Sequence, residues 1–210
     1  GVWDNEAQKF LNLEIMTGDA VENKSAGFFE DSEGRIWVSL RTGVITAIDP
    51  EDFSIRKHFF GTEGNDYFSR LWFEPENDLY LASAINGGLF YLDVDNDTKE
   101  PFTLSDNPDA APFANRKIMG IAKTGSTSFC ISCEDGTLWL INPYDRICRQ
   151  LPLDIDGQKQ YKFRKVFVIG DNMIAIGHTS GLLIYDLERE RLVYNKITRE
   201  LEGNNVYCVC

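Results

Sequence analysis

Three groups of residues in this 210-residue chain have types and spacings that could do chemistry. Cys130 and Cys133 have the spacing of half a zinc site or of a redox pair. They lie in Phe129-Cys130-Ile131-Ser132-Cys133, which reads as a strand, and in a strand an odd offset sends two side chains to opposite faces. No second Cys or His pair has matching spacing, so two small buried thiols are the better reading. Asp93, Asp95, Asp97 and Glu100 resemble a calcium loop, with oxygen ligands at alternate positions. Thr98 follows Asp97 where such a loop needs a glycine, which leaves a solvated turn. His58 and His178 are the only histidines and sit in unrelated settings, so no Ser-His-Asp or Cys-His arrangement is visible. Carboxylates are many, but no pair is singled out for glycosidase work. The residues therefore predict no catalytic centre, no metal and no cofactor.

Composition narrows the partners. With 33 acidic and 21 basic side chains, the net charge is -12. That balance argues against a phosphate backbone, whose binding rests on Lys and Arg, and against an anionic membrane surface. Neutral ligands such as glycans stay compatible. There is no apolar run of membrane-spanning length and no basic-then-apolar leader at Gly1. Five cysteines, an odd number, are not a disulfide framework.

The elements that must position these groups recur. Gly43, Gly88, Gly136 and Gly181, spaced by 45, 48 and 45 residues, each open an apolar strand that ends at Asp or Asn. Before each glycine come a short apolar strand, a tight turn with Gly, Asn or Asp, and a strand rich in β-branched and aromatic residues. After it a more polar strand closes the unit, at Ile55 to Phe60, Glu100 to Leu104, Ile147 to Leu153 and Leu192 to Ile197. A period in the forties with four short strands per unit is the propeller signature, and the alternation and turn chemistry exclude an α-solenoid. The predicted fold is all-β, a β-propeller fragment of four complete four-stranded antiparallel blades plus partial blades at both ends. The blades are expected at roughly 25–60, 66–104, 115–153 and 162–198, with partial blades at 1–15 and 204–210. Stacking hides the two apolar faces of each sheet, so Trp37, Trp72, Phe73, Trp139 and Tyr185 are expected to pack between blades. The incomplete ends point to a segment of a longer propeller that would self-associate through uncovered faces and edges.

Phe28-Phe29-Glu30-Asp31-Ser32-Glu33-Gly34-Arg35-Ile36-Trp37-Val38, with Thr42-Gly43 and Asp49-Pro50, resembles the two-component regulator propeller repeat. The match is good in the first unit, fades in the second, where Leu79-Tyr80 replaces the Ile-Trp pair, and is weak in the third and fourth. The resemblance implies the extracytoplasmic sensor region of a hybrid histidine kinase from polysaccharide-degrading gut anaerobes. It also implies glycan fragments as ligands and a periplasmic location within an inner-membrane protein. Free cysteines fit an anaerobe's periplasm. The kinase parts are not in this chain.

Propellers bind ligands where the loops joining strands two to three and four to one converge. On the two-to-three side the candidates are Arg41, Asn86, Glu134 and His178; at the entry to the first strands they are Tyr67, Arg70 and Arg116. Planar hydrogen-bonding groups and an aromatic platform suit an oligosaccharide. Two alternatives are a protein-interaction scaffold of the WD-repeat kind and a carbohydrate-active or lyase-type propeller enzyme. The first would carry a Trp-Asp end to its third strand and an upstream His, which the four complete units lack.

Overall fold

The computed structural model describes residues 2–4, 9–11, 25–60, 67–153, 161–193, 198 and 200–206. Strand β1 (Val2–Asp4) pairs antiparallel with β2 (Lys9–Leu11). Four four-stranded sheets follow. The first is β3 (Ser25–Glu30), β4 (Ile36–Leu40), β5 (Val44–Ile48) and β6 (Ile55–Phe59), and the second is β7 (Phe68–Glu74), β8 (Leu79–Ala84), β9 (Leu89–Asp93) and β10 (Thr98–Pro101). The third is β11 (Ile118–Lys123), β12 (Phe129–Cys133), β13 (Leu138–Asn142) and β14 (Ile147–Gln150). The fourth is β15 (Phe163–Ile169), β16 (Met173–His178), β17 (Gly181–Asp186) and β18 (Arg191–Val193). In each sheet the strands lie side by side in chain order.

The inner strands explain why these sheets must be covered on both sides. β5, β8, β12 and β17 are buried along their whole length. In β12 the two cysteines lie on opposite faces, and both faces are covered. Burial pushes the Cys133 thiol up to about 12 and raises that of Cys130 as well. Both thiols are therefore held protonated in the interior.

The chain divides into two compact units, Gly1–Leu81 with Leu92–Lys99, and Ala82–Tyr91 with Glu100–Cys210. Within the first, β3 runs beside β7 and the rings interlock. Trp37 meets Phe73 edge-on at 4.7 Å, Phe29 lies 5.3 Å from Trp72, and Phe73 lies 5.3 Å from Tyr80. Within the second, β11 runs beside β15, and Leu138, Phe163, Ile174 and Tyr185 share one core. Trp139 packs against Phe113 at 5.5 Å. Close approach of the first strands rests on glycine. A Cβ on Gly120 would lie 2.7 Å from the Val166 amide, and the Ser132 hydroxyl opposite Gly120 donates to the Arg164 carbonyl at 3.1 Å. Gly177 occupies the place of Ser132 in the fourth sheet, and there the Val206 carbonyl comes as close as 2.5 Å to an added Cβ. The Val206 amide donates to the His178 carbonyl at 3.0 Å. Of the strand expected at 204–210, residues 204–206 are not in a strand and 207–210 lie outside the described residues.

One turn design joins strands three and four of every sheet. Asp49, Asp93, Asn142 and Asp186 each accept backbone amides from residues two or three further on. Four residues after each comes a left-handed residue: Phe53, Asp97, Arg146 and Glu190, with φ between 48° and 59°. The run at Asp93–Asp97 is this turn, with the Asp93 carboxylate taken up by Asp95, Asn96 and the Asn96 side chain. It also moves the fourth strand of the second sheet. That strand starts at Thr98, not Glu100, because Asp97 closes the turn, and it ends at Pro101, after which the Phe102 amide still donates to the Leu89 carbonyl at 2.7 Å. In the fourth sheet β18 covers Arg191–Val193, residues 194–197 lie outside the described residues, and Thr198 and Glu200 are helical.

The left-handed residue also reaches back to the fourth strand of the preceding sheet. Asp97 pairs with His58 at 2.8 Å, Arg146 with Glu100, and Glu190 with Arg149 at 2.6 Å. Beside the second of these clasps the Tyr91 hydroxyl donates to the Pro143 carbonyl at 2.6 Å, under the Arg146 guanidinium. Burial raises the Tyr91 pKa, so this donor keeps its proton throughout the physiological range. Tyr91→Phe is expected to cost about 1 kcal/mol in urea denaturation, the net worth of one neutral hydrogen bond.

Candidate functional site

The structure sorts the seven residues expected from the sequence into two settings. In the first unit Arg41 is exposed in the β4–β5 turn, with its guanidinium 5.8 Å from the centre of the Tyr67 ring just before β7. Arg70 lies inside β7 and not in the loop before it, donates to the Ser69 carbonyl at 2.6 Å, and has its pKa lowered by burial. In the second unit Asn86 is exposed in the β8–β9 turn. Arg116 is committed to its surroundings: it donates to the Asp135 carboxylate, the Thr137 hydroxyl at 3.3 Å and the Pro112 carbonyl at 3.2 Å, and lies 5.1 Å over Trp139. Glu134 pairs with Lys117 at 3.7 Å. His178 departs furthest from the loop expected for it. It ends β16 at 3% exposure, accepts the Ser180 amide at Nδ1 (3.1 Å), and meets Tyr161 edge-on at 4.5 Å. Arg41 in the first unit and Asn86 in the second stay exposed, and Tyr67 is half-buried, while Arg116, Glu134 and His178 fasten turns.

Sequence reasoning missed a cleft of about 270 Å³ at the opposite ends of the first sheet's strands, by the β3–β4 and β5–β6 turns. Its floor is Trp37 beside Ala47, and Arg56, the partner of Ala47 on the next strand, stands exposed at the rim. Asp49 and Ser54 stand at one rim, and Tyr80, Val94 and Asp95 form the facing wall. The floor is held by a buried carboxylate. Asp31 Oδ1 accepts the Glu33 and Arg35 amides at 3.0 Å each, and Oδ2 accepts Arg35 Nε at 2.9 Å and Trp37 Nε1 at 2.7 Å. Burial alone would raise the Asp31 pKa; the bonds from Trp37 and Arg35 outweigh it and hold it below the usual carboxylate value. The signal for this was in the sequence, in Asp31 placed two, four and six residues before Glu33, Arg35 and Trp37.

Four meandering sheets, recurring with one turn design and face-to-face packing within each unit, define an all-β β-propeller segment. No family model and no curated protein matches the sequence. Among solved structures, the chain is similar to the extracellular domain of the hybrid two-component system protein BT4673 from B. thetaiotaomicron, with 19% identity and a TM-score of 0.62 over 83% of this chain. The match covers 21% of that domain, so this chain spans about a fifth of its length. The WD40 domain of Neurospora crassa Pan2 matches over 82% of this chain and 49% of its own, with 8% identity and a TM-score of 0.59. The computationally designed protein Ika8 matches over 81% and 48%, with 14% identity and a TM-score of 0.55. These likenesses establish the propeller fold.

Proposed function

We propose that this segment belongs to the extracytoplasmic sensor region of a two-component histidine kinase and binds a glycan fragment without transforming it. The observation that carries this reading is the likeness, over 83% of the chain, to an extracellular domain of a hybrid two-component system. The propeller repeat of the first sheet, the exposed Arg41 beside half-buried Tyr67, and the exposed Asn86 support it. On this reading the segment is periplasmic, within a protein anchored in the inner membrane, and its kinase lies elsewhere in that protein. Among the described residues no helix is long and apolar enough to cross a membrane. A net charge of -12 disfavours nucleic acid and direct membrane contact.

Calorimetric titration of the 210-residue chain with a panel of neutral and acidic plant and host oligosaccharides tests the reading. Saturable heat is expected for at least one of them. Silence across the panel contradicts glycan sensing and leaves the fold untouched.

A further inference from the structure

The repeat shows what is missing at the cleft. Two residues before the capping Asp or Asn of each third strand stand Ala47, Tyr91, Leu140 and Ile184. In the second sheet Tyr91 spans to the next turn and bonds the carbonyl of Pro143, the residue after Asn142. In the third sheet Leu140 packs into a core it shares with Leu187, the residue after Asp186. Ala47 reaches nothing comparable, and the room it leaves is the cleft. The gap is framed open, not closed by collapse. Arg56, beside Ala47, donates to the carbonyl of Val94, the residue after Asp93, at 3.3 Å. It thus makes from the rim the bond that the Tyr91 hydroxyl makes from the middle of the second sheet.

The lining fits one class of ligand. The lining carries two guanidiniums, Arg35 and Arg56, two carboxylates, Asp49 and Asp95, and the His58 ring, so an ion of either sign meets repulsion as well as attraction. An apolar ligand would strip water from these groups and leave them unpaired. A neutral polyhydroxy ring can present its hydroxyls to donors and acceptors alike, above a floor in which Trp37 is 2% exposed and supports the cleft from below. A volume of 270 Å³ falls just short of the roughly 300–1,000 Å³ common for small-molecule pockets, which suits a single ring. We propose that the cleft of the first sheet is a binding site for one neutral sugar ring, free or at the end of an oligosaccharide, separate from the Arg41 end of the same sheet. The choice of a sugar rests in part on the sensing reading; the location does not.

The test is calorimetry of the intact chain and two variants with D-glucose, D-galactose, D-mannose, D-xylose and L-arabinose, and with the oligosaccharide panel. Ala47→Leu installs the side chain that the third sheet carries at this position, so it fills the cleft in a way the fold already accepts. Arg56→Gln removes a rim donor without altering the floor. For a sugar that binds the native chain, each variant is expected to raise Kd tenfold or more, with the melting temperature of Ala47→Leu unchanged or higher. Native affinity in both variants overturns the inference. Binding of oligosaccharides that is lost in an Arg41→Ala variant but kept in Ala47→Leu overturns the cleft and leaves glycan sensing standing. Absence of binding to every monosaccharide and oligosaccharide by the native chain ends both.

Discussion

Asp31→Ala should lower stability by about 3 kcal/mol at neutral pH, the low end of the range for breaking a buried ionic contact from one side. The side chain has no exposure, and its two oxygens take up four donors, among them the Trp37 indole and the Arg35 guanidinium. Removing it strands those donors, frees the β3–β4 turn and unpins the ring that Phe73 packs against at 4.7 Å. The pH dependence has a definite sign. The native pKa is depressed, so the stabilisation is fully present above the ordinary Asp value of about 3.9 and is lost as pH falls through the native value. Urea denaturation of both proteins between neutral and strongly acidic pH should show a constant gap that narrows below about pH 4. A gap that widens on acidification would mean that Asp31 is held protonated in the native chain.

Gly136→Ala should cost a similar amount, about 3 kcal/mol, by a different route. Gly136 opens the turn into β13 with φ +83°, and a Cβ there would stand 2.5 Å from the Tyr161 carbonyl, which belongs to the chain entering the next sheet. Left-handed strain accounts for about 1–2 kcal/mol and the overlap with an unyielding backbone for the rest. Gly170 separates the two effects. Its φ is +68°, but an added Cβ has nothing within 4 Å. Gly170→Ala should therefore lose only the strain component. Equal losses in the two variants by urea denaturation would show that the approach at Tyr161 is slack.

How far the sequence was legible depended on whether a feature was local. The short, mostly apolar run at Phe129–Cys133 and the recurring Gly43, Gly88, Gly136 and Gly181 made the all-β propeller readable, because burial on two faces and turns that demand positive φ leave direct marks on composition. Thr98 in place of a glycine was enough to read the Asp93–Asp97 run as a turn. The left-handed positions were not readable. Phe53, Asp97, Arg146 and Glu190 have no chemistry in common, and their backbone is set by a cap four residues upstream. Tertiary burial also overrode the local reading of His178 and Arg70, both polar residues near a loop that the strands absorb. The cleft was hidden for a further reason. Ala47 is unremarkable in a strand, and its smallness matters only against Tyr91, Leu140 and Ile184, an alignment that the capping residues supply once strand register is known.

The central claim is that this propeller segment recognises a sugar at the gap left by Ala47. Proton–nitrogen correlation spectra of the labelled chain during titration with the same five monosaccharides report on it most directly. The account predicts shifts concentrated at the backbone amides of Ala47, Ser54, Arg56 and Val94 and at the Trp37 indole, and their disappearance in Ala47→Leu. Saturable shifts confined to Arg41, Tyr67, Asn86 and their neighbours, with those five signals unmoved, would contradict it.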